Sequence, residues 1–214
     1  MNINVVTHPI VQDLITKLRN KETSTELYRK YSQTITTHLI YEALGDIKTK
    51  SSSVMTQTEA KYKGSIVAEK VAFVAILRAG LAMLIPPMQE YPNFEYHCVG
   101  IKRSEEDPRN TKPVLYLDRL DEVGKDVKRI VIVDPMFATG GTILTLVDAI
   151  KNQHKFKARV DIVCLISAKP GVEKLYEQFP DVKVTCAGFD TELNENAYIV
   201  PGLGDAGNRF FGVG

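Results

Sequence analysis

The sequence predicts an α/β fold, a parallel sheet covered by helices on both faces. Three observations carry that expectation. Apolar-rich runs recur at 71–77, 95–101, 129–133, 160–167 and 182–188, as suits strands buried on both sides. Helix-like stretches at 81–89, 142–153 and 172–179 alternate with them, which is the pattern of strand–helix–strand units. The run at 129–133 ends abruptly in Asp134, and a Thr139-Gly140-Gly141-Thr142 loop opens the next helix. In open sheets of this kind, ligands sit beyond the carboxyl ends of the strands.

The elements follow in order. Pro9 is suited to open a helix, with Ile10, Val11, Leu14, Ile15 and Leu18 on one face. A second helix is expected near Thr23, where Thr23 and Glu26 have capping-box spacing, running through Leu27, Tyr31, Ile35 and Leu39 to about Leu44. Residues 46–66 are polar and mixed, and fit either a strand pair or a loop. The helix after strand 71–77 contains Pro86-Pro87, so it is expected to be kinked or to start late. Residues 100–111 are dense in charge, contain Pro108 and read as a mobile loop. Lys102 and Arg103 at its base are placed to close over a polyphosphate. From Tyr198 to Gly212, glycines and Pro201 exclude regular secondary structure, yet Ile199, Val200, Leu203, Phe210 and Phe211 are too apolar for a frayed tail. An ordered loop lying on the protein satisfies both facts.

Length and composition set the bounds. The 214 residues suit one domain over 1–214, with N-terminal helices at about 9–44, a core at about 66–190 and a C-terminal segment at about 191–214. A formal charge of +1 gives no sign of a nucleic-acid partner. Cys98, Cys164 and Cys186 lack metal-site spacing and read as free thiols, the latter two buried, which implies a reducing, cytoplasmic setting. No basic-then-apolar leader is evident, and no apolar run approaches the ~20 residues that span a bilayer.

The loop after Asp134 carries the chemistry. Glycines let a backbone turn sharply and approach a ligand. A helix start offers unpaired N–H groups and the positive end of the helix dipole, and together these make a socket for phosphate. A side chain added at Gly140 is expected to point into that socket and to spare the fold. The spacing is neither a Walker loop, since no lysine follows the glycines, nor a Gly-x-Gly-x-x-Gly fingerprint. A second strand end, Ile76-Leu77-Arg78-Ala79-Gly80, puts a fork-shaped cation where the chain leaves the sheet.

The run from Ile130 to Thr142 resembles the phosphoribosyl-diphosphate (PRPP) motif of type I phosphoribosyltransferases. The C-terminal Tyr-Ile-Val-Pro-Gly-Leu-Gly-Asp-Ala-Gly-Asn-Arg-Phe-Phe-Gly is similar to the base-binding segment of the uracil phosphoribosyltransferase family. The N-terminal "HPIVQDLITKLRNKETSTELYRKY" is similar to that family's opening, so the likeness covers nearly the whole chain. It implies a type I sheet with a small hood built from N- and C-terminal segments, and transfer of phosphoribose from PRPP to uracil. Implied catalytic residues are Arg78, Asp134 and Asp205. Implied PRPP contacts are Arg78, Ala79, Gly80, Arg103, Asp134, Pro135, Met136, Phe137, Ala138, Thr139, Gly140, Gly141, Thr142 and Asp205. Implied uracil contacts are Ile199, Gly204, Asp205 and Ala206. Mg²⁺ is implied as PRPP's companion, with no direct protein ligand set beyond a possible role for Asp205. GTP is a candidate effector and a homodimer or larger homo-oligomer the implied assembly.

Where most type I enzymes carry paired acids and a further acid before Thr-Gly, this chain reads Asp134, Pro135 and Ala138. That departure agrees with the uracil branch. It speaks against the purine enzymes and against a related class of RNA-binding regulators of pyrimidine genes. Residues 50–65 match the family poorly.

Overall fold

The computed structural model describes residues 2–102 and 113–213. In chain order the elements are β1 (Ile3–Val5), α1 (Pro9–Arg19), α2 (Thr25–Ala43), β2 (Thr49–Met55), β3 (Lys61–Val67), β4 (Val71–Leu77), α3 (Leu81–Glu90), β5 (Glu95–Lys102), β6 (Val114–Leu117), β7 (Arg129–Val133), β8 (Met136–Phe137), α4 (Gly141–Asp148), β9 (Arg159–Ala168), α5 (Lys169–Gln178), β10 (Lys183–Asp190), β11 (Glu192–Leu193), β12 (Ile199–Val200) and α6 (Ala206–Phe211). A 3₁₀ turn at Leu120–Glu122 precedes β7, and a π turn at Ala149–Gln153 extends α4.

The apolar runs form the middle of one sheet, in the order β1-β10-β9-β7-β4-β5-β6, with β8 beside β9. All its pairings are parallel except β5 with β6. Alternate residues of each strand serve two cores. Val71, Phe73, Ala75, Val131 and Val133 pack with Val11, Ile15, Leu39 and Met83 of the first three helices. Ala72, Val74, Ile76, Ile130 and Ile132 pack with Ile143, Leu146, Val172 and Leu175 of α4 and α5. Burial on both faces explains why these strands read as unbroken apolar runs.

The chain leaving β4 crosses through α3 to β5, whereas the chain leaving β7 crosses through α4 to β9 on the opposite side. The two connections diverge, and a crevice opens between the carboxyl ends of β4 and β7, the topological switch point of the sheet.

Several expectations are adjusted. The α2 cap is Ser24, whose hydroxyl accepts the Leu27 N–H at 3.3 Å, while Thr23 donates to the Lys17 carbonyl instead. The buried stripe of α2 is Tyr28, Ser32, Ile35, Thr36, Leu39, Ile40 and Ala43, with Tyr31 partly buried against the same core and Leu27 exposed. Pro86 and Pro87 lie buried inside α3, which starts at Leu81 without delay. Packing of Ala82, Met83 and Leu84 holds a helix that propensity alone would not. Residues 46–66 contain a strand pair, the β2–β3 hairpin, in register from Thr49 opposite Val67 to Met55 opposite Lys61 and exposed along most of both strands.

The exclusion of regular structure from the C-terminal segment is overturned. β12 pairs with β11, and α6 forms between two good stops. The Asp205 carboxylate accepts the Asn208 N–H at 2.8 Å, and Gly212 closes the helix in the left-handed region at φ 72°. This segment packs against the N-terminal helices. Arg29 Nε donates to the Phe210 carbonyl at 2.7 Å, and Arg209 lies 4.4 Å over the Tyr28 ring. Among the described residues no helix is long and apolar enough to cross a membrane.

Candidate active site

The crevice is a cleft of about 260 Å³ lined by three segments that lie far apart in sequence: Arg78 and Ala79 after β4; Asp134, Pro135 and Met136 after β7; and Asp205, Ala206, Gly207 and Asn208 at the start of α6.

On the β4 side, the Leu77–Arg78 peptide is cis and Gly80 is buried. Arg78 is exposed, with its guanidinium 5.9 Å over the Phe211 ring, so the C-terminal helix gives this cation an aromatic seat.

On the β7 side, the ladder with β9 pauses at Asp134 and Pro135 and resumes at Met136 opposite Ile166. Proline suits that pause because it has no N–H to offer the ladder. Its carbonyl still accepts from Leu165 and Ile166, at 3.1 and 3.2 Å. Asp134 turns its Oδ1 to the Met136 N–H at 3.0 Å, which places a carboxylate at the strand end.

Phe137 and Ala138 continue into the core, so only their backbone is available to a ligand. Gly140 is the residue before α4 and sits at φ 87°, where side chains are strained. A Cβ there would meet the Gly171 carbonyl oxygen at 3.1 Å and its Cα at 3.2 Å. The expectation that a Gly140 side chain enters the socket is therefore corrected: it would press on α5, and the glycine holds the loop against that helix.

Seven of the residues expected in the site line this one cleft: Arg78, Ala79, Asp134, Pro135, Met136, Asp205 and Ala206. The Thr139–Thr142 turn follows directly but does not line it, and neither do Ile199, whose side chain is in the core, and Gly204. Arg103 lies outside the described residues. Gly207 and Asn208 were missed, although they sit within the segment that carried the resemblance. The Phe211–Arg78 contact was missed because no local pattern links positions so far apart.

Inside the sheet, Cys164 and Cys186 are opposite one another on β9 and β10, and Ser167 Oγ lies 3.2 Å from Cys186 Sγ. Burial holds Cys164 well above the ordinary thiol range, which keeps it neutral and inert as a nucleophile. Among the described residues no group of three or more His, Cys, Asp or Glu side chains is placed to hold a metal ion. The cleft offers two hard oxygen donors, Asp134 and Asp205, which fit a magnesium ion that arrives with its substrate better than a resident metal.

The architecture defines a class. The chain superposes on a Trypanosoma brucei adenine phosphoribosyltransferase with a TM-score of 0.56 at 12% identity, covering 92% of this chain and 87% of that one, which shows the type I phosphoribosyltransferase fold. Within that class, the chain belongs to the uracil phosphoribosyltransferase family, whose model matches residues 5–213. A Streptococcus pneumoniae uracil phosphoribosyltransferase is 38% identical over 211 residues, 99% of this chain and 98% of that protein. The AQ2163 protein of Aquifex aeolicus superposes with a TM-score of 0.86 at 34% identity, covering 99% of this chain and 98% of that one.

Proposed function

We propose that this protein transfers phosphoribose from PRPP to N1 of uracil: the C1–diphosphate bond breaks, the C1–N1 bond forms, and uracil's N1 proton is lost. One observation carries the reading. A single cleft joins Arg78, the Asp134 strand end and the α6 cap at Asp205.

The side chains divide the work. Arg78 offers a planar fork of donors to the departing diphosphate, where negative charge grows as the bond breaks. Asp134 accepts from the ribose hydroxyls. Backbone N–H groups at the start of α4, with Thr139 and Thr142, hold the 5-phosphate, and this remote binding orients the reacting carbon. The backbone from Ile199 to Ala206 reads uracil, with Asp205 between base and sugar phosphate. Reading N3–H needs an acceptor, and cytosine, which presents a lone pair there, would leave a buried group unpaired at about 1–3 kcal/mol. Asp134 and Asp205 are the carboxylates that would hold a Mg²⁺ ion arriving with PRPP, which would supply charge neutralisation for the diphosphate.

The assembly is a homodimer or larger homo-oligomer. The β2–β3 hairpin supports this, since it leaves Val54, Met55, Tyr62, Ile66 and Val67 exposed. GTP is a candidate effector on family likeness alone, tested by adding it to the assay. The decisive assay is UMP formation from labelled uracil, PRPP and Mg²⁺ beside cytosine, orotate, hypoxanthine and adenine. Uracil should be strongly preferred, and orotate or hypoxanthine turning over equally fast would refute the reading.

A further inference from the structure

We propose that Arg19 and Asp190 form a positioning pair that fixes the base-reading backbone and so sets the affinity for uracil without touching it. This rests on the assignment of residues 199–206 to the base.

Asp190 ends β10, at the same edge of the sheet as the cleft, and its carboxylate is only 8% exposed. Arg19, at the end of α1, grips it with two parallel bonds, Nη1 to Oδ2 at 2.7 Å and Nη2 to Oδ1 at 2.8 Å. Both partners then hold one residue of the C-terminal segment, Gly202, through the peptide groups on either side of it. Arg19 Nη1 donates to the Gly202 carbonyl at 2.8 Å, and the Gly202 N–H donates to Asp190 Oδ2 at 3.1 Å. Room for the guanidinium comes from Gly188, where a Cβ would lie 2.6 Å from Arg19 Nη2.

A second arginine closes the arrangement from the other side. Arg209 donates to the carbonyls of Leu18 at 2.8 Å, Leu203 at 2.9 Å and Asn20 at 2.8 Å. The residues flanking Arg19 are thus tied to the residue after Gly202. A buried ion pair contributes little net stability, because desolvation offsets its attraction. Its consequence here is geometric. A backbone that reads a base must be held from behind, since no side chain corrects its position, and a displacement near 1 Å weakens every bond it makes.

The test compares uracil and PRPP kinetics for wild type, Asp190→Asn, Arg19→Met and Arg19→Lys. Asp190→Asn keeps the shape but loses the charge. Lysine keeps the charge but cannot span both oxygens. The expected result is a uracil KM raised by about tenfold or more in Asp190→Asn and Arg19→Met, with the PRPP KM within about twofold of wild type and an intermediate uracil KM in Arg19→Lys. A general loss of structure would raise both KM values together, and that result would overturn the proposal, as would an unchanged uracil KM. If Arg19→Met does not fold, Asp190→Asn and Arg19→Lys still decide. Wild-type protein that makes no UMP from uracil would instead refute the functional assignment itself.

Discussion

The two walls of the cleft are held in different ways. The phosphate-side wall, Asp134 to Met136 with the turn that follows it to Thr142, is local: the pause at Pro135, the return to the ladder at Met136 and the left-handed Gly140 are set by neighbours in sequence and by adjacent strands. The base-side wall, from Ile199 to α6, has only short elements of its own, a two-residue strand and a six-residue helix. Arg19 and Arg29 reach it across 183 and 181 residues of chain, Arg209 ties it to Leu18 across 191, and Asp190 holds Gly202 from 12 residues away. A local wall is specified by a motif and tolerates change elsewhere. A wall assembled at long range depends on residues that no motif contains.

Gly140→Val should break the local wall most severely. A β-branched residue at φ 87° against the Gly171 backbone is expected to cost about 2–5 kcal/mol, combining backbone strain with overpacking. Chemical denaturation should show the loss, and calorimetry should show no PRPP binding. Unchanged stability would mean that the loop is not pinned to α5.

Arg78→Ala strikes the point where the walls meet, since Arg78 leaves β4 and rests on Phe211 of the base-side wall. Loss of a donor to the departing diphosphate should lower kcat by roughly 10²–10³, with PRPP binding weakened less. Lysine should restore activity only in part. Steady-state rates at saturating substrates check this, and a kcat within about threefold of wild type, roughly 0.7 kcal/mol in barrier, would remove Arg78 from the chemistry.

The smallest effect should come from the far end of β7, where Arg129 and Arg159 hold Asp46 at 2.9 and 2.6 Å. Desolvation pushes this carboxyl up, but hydrogen bonds from Arg159 and Arg129 outweigh it and hold the group at about 2, below the ordinary 3.8. A depressed carboxyl stabilises the fold above its unfolded value, and that stabilisation fades as pH falls through its folded value. Asp46 is 53% exposed, so Asp46→Asn should cost under about 1 kcal/mol at pH 7. The gap from wild type should narrow between pH 4 and pH 2. Denaturation curves across that range check it, and kcat should not change.

Legibility follows the same division. The five inner strands of the central sheet, β10, β9, β7, β4 and β5, were readable because burial makes their sequences largely apolar, whereas the short strands β1, β6 and β8 were not anticipated. α2 was placed correctly, with Ile35 and Leu39 in its buried stripe, but Ser32 and Thr36 share that stripe and an apolar pattern does not show them. Each hides its hydroxyl by donating to a backbone carbonyl, of Arg29 and Ser32 respectively, so a polar residue occupies an apolar position. The hairpin at 49–67 gave no alternation, since most of both strands is exposed. α6 was hidden among glycines, although Asp205 caps its start and Gly212 itself closes its end. The strand-end residues of the cleft were legible from a loop pattern and a family resemblance, whereas the Arg19–Asp190 pair, 171 positions apart, was not.

The most direct test of one cleft with two differently held walls is the structure of the protein with bound UMP. The phosphate should lie against the backbone of Thr139–Thr142, the ribose hydroxyls near Asp134, and the uracil ring edge-on to the Ile199–Ala206 backbone. A nucleotide bound with its base against the β7 loop, or outside the space between Asp134 and Asp205, would contradict it.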